Sequence, residues 1–227
     1  MLKHREIKYT INYLDNSGKK RGEEPCFVTL HSDGTRVIRA TSKIYDTEII
    51  RDVVYNVDAK FKPIDCFIKI RKSEQIISTS FFTFTDNNIY LKGINSENKI
   101  VNETLETNRA ESFISHAVAT DVWHSANIIK KKSKGIQKIF PIYSSSNLPN
   151  GASESKIHRW DLKAKFIKFT EIRTPAGIFE AEHIQYYEED DSLWLEMWCT
   201  NDIDRIMLKM YYPVYDSYYL LNKLERV

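Results

Sequence analysis

The residues best suited to chemistry lie in Leu193-Trp194-Leu195-Glu196-Met197-Trp198-Cys199. In an extended chain alternate side chains point to opposite faces. Leu193, Leu195, Met197 and Cys199 then share one apolar face, and Trp194, Glu196 and Trp198 share the other. A carboxyl group between two indoles is poorly solvated, which raises its proton affinity. Glu196 therefore suits a general acid, a general base or a hydrogen-bond anchor in an aromatic-walled pocket. The same pattern also suits a face covered by a second subunit.

Arg51 breaks a different rhythm, because it shares a strand face with Ile49, Val53, Tyr55 and Val57. A guanidinium among apolar side chains needs a carboxylate or an anionic ligand group. His116, Asp121 and His124 offer acid/base or metal-ligating side chains. On a continuous helix, positions five apart diverge by about 140°, so only Asp121 and His124 would share a face. His116 and Asp121 are retained as acid/base candidates, and no metal site is expected. His183 and Trp160 lie on strand faces with other aromatic residues, as does Tyr55, and these complete the candidate ligand wall. The sequence contains no G-x-S-x-G, P-loop, G-x-G-x-x-G or H-E-x-x-H motif, and no cofactor is expected.

Period-two hydrophobicity must position all of these groups, and it recurs along most of the 227 residues. Ile7, Tyr9, Ile11 and Tyr13 alternate with polar residues up to Asp15-Asn16-Ser17-Gly18, which supplies turn chemistry. A return strand begins near Phe27, and Ser32-Asp33-Gly34 turns the chain again. Strands alternating with short polar turns continue to Thr107, and from Lys156 to Leu224. Between Asn108 and Ile129 the apolar spacing changes toward i, i+3, i+4, and one helical segment is expected there. The Lys130–Gly135 run reads as its exposed C-terminal turn, and Ser144–Ser155 as the longest loop. The predicted fold is all-β and mainly antiparallel. It is one domain over residues 1–227, a curved sheet or closed barrel of about ten to twelve strands.

Composition narrows the partners. Lys and Arg number 33 against 31 Asp and Glu, so no global field favours nucleic acid. No run reaches the roughly 20 apolar residues of a membrane helix. Cys26, Cys66 and Cys199 are widely spaced within apolar runs, as expected of reduced core thiols in a cytoplasmic protein. The opening residues carry charge where a signal peptide would be apolar.

Thr174-Pro175-Ala176-Gly177-Ile178-Phe179-Glu180-Ala181, followed by a Trp-bearing strand and a closing Tyr/Leu strand, resembles the last third of bacterial calycin-like (lipocalin-like) barrels of unknown function. Tyr13-Leu14-Asp15, Gly22-Glu23-Glu24, Arg51-Asp52-Val53 and Tyr55-Asn56-Val57-Asp58-Ala59 are similar in order and spacing. So is His116 followed by Asp121. The resemblance implies a cavity for a small apolar or aromatic molecule. The expected function is binding of such a molecule, with isomerase- or lyase-type proton transfer as the chemistry open to it. The alternative is a non-enzymatic interaction module, with the Trp194/Trp198 face buried in a homodimer or against another protein.

Overall fold

Alternation decides which side of each strand is buried. In β1 (Arg5–Asp15) Ile7, Tyr9, Ile11 and Tyr13 are buried while Lys8 is exposed, and in β4 (Ile49–Val57) Ile49, Arg51, Val53, Tyr55 and Val57 are buried. The computed structural model describes residues 4–108, 110–128, 130 and 134–227, without the side chain of Phe140. Turn chemistry acts as the sequence predicts. Asp15 Oδ1 accepts hydrogen bonds from the amides of Ser17 and Lys19, both at 2.9 Å, and Gly18 takes φ +83°.

Fifteen strands form one sheet among the described residues, more than the ten to twelve expected. The first half continues with β2 (Lys20–Leu30), β3 (Arg36–Ile44), then, beyond β4, β5 (Pro63–Lys72), β6 (Gln75–Phe84), β7 (Asn88–Asn95) and β8 (Ile100–Glu106). The second half comprises β9 (Ser112–Ile114), β10 (Gln137–Ser144), β11 (His158–Thr174), β12 (Gly177–Tyr187), β13 (Leu193–Thr200), β14 (Met207–Tyr212) and β15 (Ser217–Arg226). Each half is an antiparallel meander, apart from the parallel pairing of β9 with β10. Pairing of β1 with β15 joins the halves, so the spatial order runs β8 to β1 and then β15 to β9. The two chain ends meet in mid-sheet, and the two sheet edges are nearly consecutive in sequence.

A twisted sheet of this width curls. The β9 edge lies against the inside of the first half, where Phe113 packs on Tyr55, Phe82 and Phe84 with ring centroids 6.2, 4.8 and 5.0 Å apart. Tyr143 and Thr107 hydroxyls meet at 2.5 Å across the seam.

The helical segment expected over Asn108–Ile129 is replaced by strand β9, a short 3-10 helix at Val118–Trp123 and turns. Two features explain this. Val118, Thr120 and Val122 are β-branched and disfavour a long helix. His116 adopts φ +60°, which no helix interior tolerates. Of the lysine-rich turn, Lys131, Lys132 and Ser133 lie outside the described residues, as does Ile129. The 3-10 segment enters the interior, where Trp123 packs against Tyr55 and Phe61 at 5.8 Å each. It fills one end of the rolled sheet. Cys26, Cys66 and Cys199 are buried and free. Among the described residues no helix is long and apolar enough to cross a membrane.

Candidate functional site

The other end of the rolled sheet is not filled. A cavity of about 310 Å³ lies beneath the turns that join β1 to β2, β3 to β4, β12 to β13 and β14 to β15. Its apolar wall includes Trp160, Trp194, Leu195, Met210, Tyr212 and Tyr219, and its ionisable lining includes Arg51, His116 and Asp121. That volume is at the lower end of the range for small-molecule sites.

Arg51 is 2% exposed and points inward from β4 as its strand face predicts. Its cross-strand neighbour on β3 is Ser42, whose Oγ accepts from Nη2 at 3.2 Å. Nη1 donates to the carbonyl oxygen of Asn150 at 2.5 Å, and Nε has no partner. The carboxylate that a buried guanidinium calls for stands one link away. Glu24 on β2 is fully buried and accepts from the Ser42 hydroxyl at 2.6 Å and the Tyr13 hydroxyl at 2.5 Å. It also accepts from the amides of Val118 at 3.2 Å and Ala119 at 2.9 Å, so a β2 side chain anchors the first turn of the 3-10 helix. Burial, reinforced by the Glu24 charge, pushes the Tyr13 phenol well above its ordinary range.

His116 lies between Arg51 and the loop Ser146–Gly151. Burial and the neighbouring Arg51 charge push its imidazole down to about 3, and the backbone of Ser146 and Pro149 offsets this only in part. Its Nε2 has no partner. Gly151 presses on both side chains at φ +66°, and a Cβ there would meet Arg51 Nη1 and the His116 Cβ at 2.6 Å. Only glycine fits both the backbone conformation and the space.

Asp121 shares the cavity lining with His116, but its ion-pair partner is His124, whose Nε2 lies 3.5 Å from Asp121 Oδ1. His124 Nδ1 in turn meets Ser112 Oγ. Burial raises the proton affinity of Asp121, and His124 works against that rise. The Ser112–His124–Asp121 series has the residue types of a nucleophilic triad. Ser112 is buried and does not line the cavity, so it cannot meet a molecule held there. Among the described residues, no three His, Cys, Asp or Glu side chains are grouped to hold a metal ion.

Five of the sequence candidates come together around the cavity: Arg51, His116, Asp121, Trp160 and Trp194. Four do not. Tyr55 is buried on β4 but lies about 13 Å further along the strand, in the filled end. Glu196 and Trp198 face the outside, which corrects the shared Trp194/Glu196/Trp198 face. The reason is a β-bulge: Tyr186 pairs with Leu195 and Tyr187 with Leu193, leaving Trp194 as the extra residue. Bulges re-aim side chains, and Trp194 turns inward, where its Nε1 donates to the Tyr212 hydroxyl at 3.2 Å.

On the outer face, Glu196 accepts a hydrogen bond from Gln185. His183, expected in the ligand wall, instead stacks on Trp198 at 4.4 Å; its ring nitrogens make no hydrogen bond, and Nε2 lies 3.8 Å from Glu196 Oε1. Lys209 Nζ also lies over the Trp198 ring, 5.0 Å from its centroid. Glu24 and Ser42 are the polar residues that the sequence reading missed. Glu24 carried a signal, since it falls in the same parity as Cys26 and Val28.

No family model matches the chain, and neither does any curated protein. Among solved structures it is similar to a β-barrel-like protein of domain of unknown function DUF1849 from Brucella abortus. The TM-score is 0.56 and the identity 12%, over 100% of this chain and 98% of that one. It is also similar, at TM-scores of 0.34 and 0.30, to a proposed lipoprotein from Parabacteroides distasonis (11% identity, 98% and 96% covered) and a proposed exported protein with a YmcC-like fold from Bacteroides fragilis (10% identity, 97% and 95% covered). The first likeness bears on the fold alone: the chain has an all-β, barrel-like architecture that spans its whole length.

Proposed function

We propose that this protein binds a small, largely apolar or aromatic molecule in the cavity at the unfilled end of its rolled sheet, as calycin-like barrels would. The observation that carries this reading is the cavity's composition. Aromatic and aliphatic walls surround one buried guanidinium whose hydrogen bonds are incomplete, which is the usual makeup of a site with one orienting polar group. Trp160 and Trp194 are the walls and Arg51 the anchor. His116, neutral at ordinary pH, and Asp121, with its raised proton affinity, are the acid/base groups for any proton transfer on the bound molecule. Three reduced, buried cysteines support residence in the cytoplasm.

The test is intrinsic fluorescence across a panel of small aromatic molecules. Binding changes the emission, and Trp194→Phe and Trp160→Phe each remove part of the change. No response to any member of the panel would overturn the reading. The alternative, an interaction or homodimerisation module, would use the outer face through Trp198 without Trp194, which lines the cavity, and a Trp198→Lys variant that turns a dimer into a monomer in sedimentation would favour it.

A further inference from the structure

Arg51 carries five N–H donors into a buried position, yet every acceptor it meets is neutral: a serine hydroxyl and a backbone carbonyl. Its natural counter-charge, Glu24, is already occupied by two hydroxyls and two amides and does not touch it. The Asn150 carbonyl belongs to a surface loop, with residues 147–150 exposed. That acceptor can move away into water at little cost, which the strand-borne Ser42 cannot do.

We propose, building on the cavity-binding reading above, that the ligand is an aromatic monocarboxylate. Its carboxylate takes the acceptor position on Arg51 now held by the Asn150 carbonyl. Exchange of a carbonyl for a carboxylate replaces a neutral hydrogen bond by a charge-assisted one in a poorly solvated place. The ring then lies among Trp160, Trp194, Tyr212 and Tyr219, which favours a flat aromatic body over a branched one. A single negative charge fits better than two. Asp121 and Glu188 also line the cavity, and its second guanidinium, Arg21, is already paired with Asp46 at 2.7 Å, so a dianion would face them with one unpaired guanidinium to offset it.

The experiment uses the full chain and three probes of one shape: 2-naphthoate, 2-naphthalenemethanol and 2-naphthyl phosphate, titrated by calorimetry and tryptophan emission. The native protein is expected to bind the carboxylate about tenfold or more tightly than the alcohol, and more tightly than the phosphate. Arg51→Met should erase the preference, bringing the carboxylate's affinity down to that of the alcohol. Arg51→Lys, a point charge without the guanidinium fork, should recover only part of it. Equal affinity for carboxylate and alcohol overturns the carboxylate assignment but leaves the cavity reading intact. Tighter binding of the phosphate overturns the monoanion assignment. Failure of all three probes to bind removes the cavity reading, and this inference with it.

Discussion

Two buried Glu–Arg clusters in this molecule differ in one respect. At the filled end, Arg205 Nη1 meets Glu182 directly at 2.9 Å, with Lys130 as a second cation on the same carboxylate. The remaining Arg205 donors go to the Val122 carbonyl and Ser125 hydroxyl at 3.2 Å. The cluster ties β12 to the buried 3-10 segment, and Arg205 is held there even at φ +45°. At the cavity end, Glu24 and Arg51 are equally buried but are separated by Ser42, and Arg51 Nε is left without a partner. A closed pair is part of the architecture. A buried cation with unmet donors is a place where something else can bind.

Removing one partner separates these roles most sharply. Glu182→Ala strands the Arg205 charge, which costs about 3–5 kcal/mol. Arg51→Met strands little, because Glu24 keeps four other donors and the freed Asn150 carbonyl is at the surface, so a loss of at most about 1 kcal/mol is expected. Urea unfolding of both variants measures the difference. Equal losses would show that Arg51 is as structural as Arg205.

The next effect is a pH dependence. His116 has a native pKa of about 3 against an ordinary 6.5. Between those values the unfolded chain binds a proton that the native protein does not, so stability is complete above pH 6.5 and falls as the pH drops. A single such group costs about 2 kcal/mol by about pH 5. Asp121, whose proton affinity is raised, acts in the opposite direction lower in the window. His116→Asn keeps a residue that tolerates φ +60° and removes the titration. Its acid limb should be flatter than that of the native protein in the upper half of the window. An unchanged slope would mean that the ring is not buried beside Arg51 as described. The closed cluster at the other end contains no histidine and should contribute nothing to this limb.

How much of this was legible depends on whether a side chain's face follows from parity alone. Ile7, Tyr9, Ile11 and Tyr13, and Ile49 through Val57, point as their alternation dictates, and Arg51 is legible for that reason. Glu196 and Trp198 do not follow Trp194 into the cavity because one extra residue inverts parity, and no glycine or proline marks the bulge. Glu24 is harder to read because β2 begins at Lys20 rather than near Phe27, and Pro25 sits inside it. The 3-10 segment was unreadable because its stabilising partner, the Glu24 carboxylate, lies 94 and 95 residues away from the amides it binds. Local spacing carries no trace of such a contact.

The smallest expected effect tests how the loop is seated on the open cluster. Gly151→Ala places a methyl 2.6 Å from both Arg51 Nη1 and the His116 side chain, and requires alanine at φ +66°. Both conflicts are relieved if the exposed loop lifts, which gives up the single Asn150–Arg51 hydrogen bond and costs about 1 kcal/mol. Because lifting the loop is also the step that frees Arg51 for a carboxylate, this variant should lose a little stability and gain affinity for 2-naphthoate. Those two changes have opposite signs, and ordinary packing damage moves both the same way. Unfolding and titration of one preparation therefore separate a loop that covers a binding group from a loop that merely fills space.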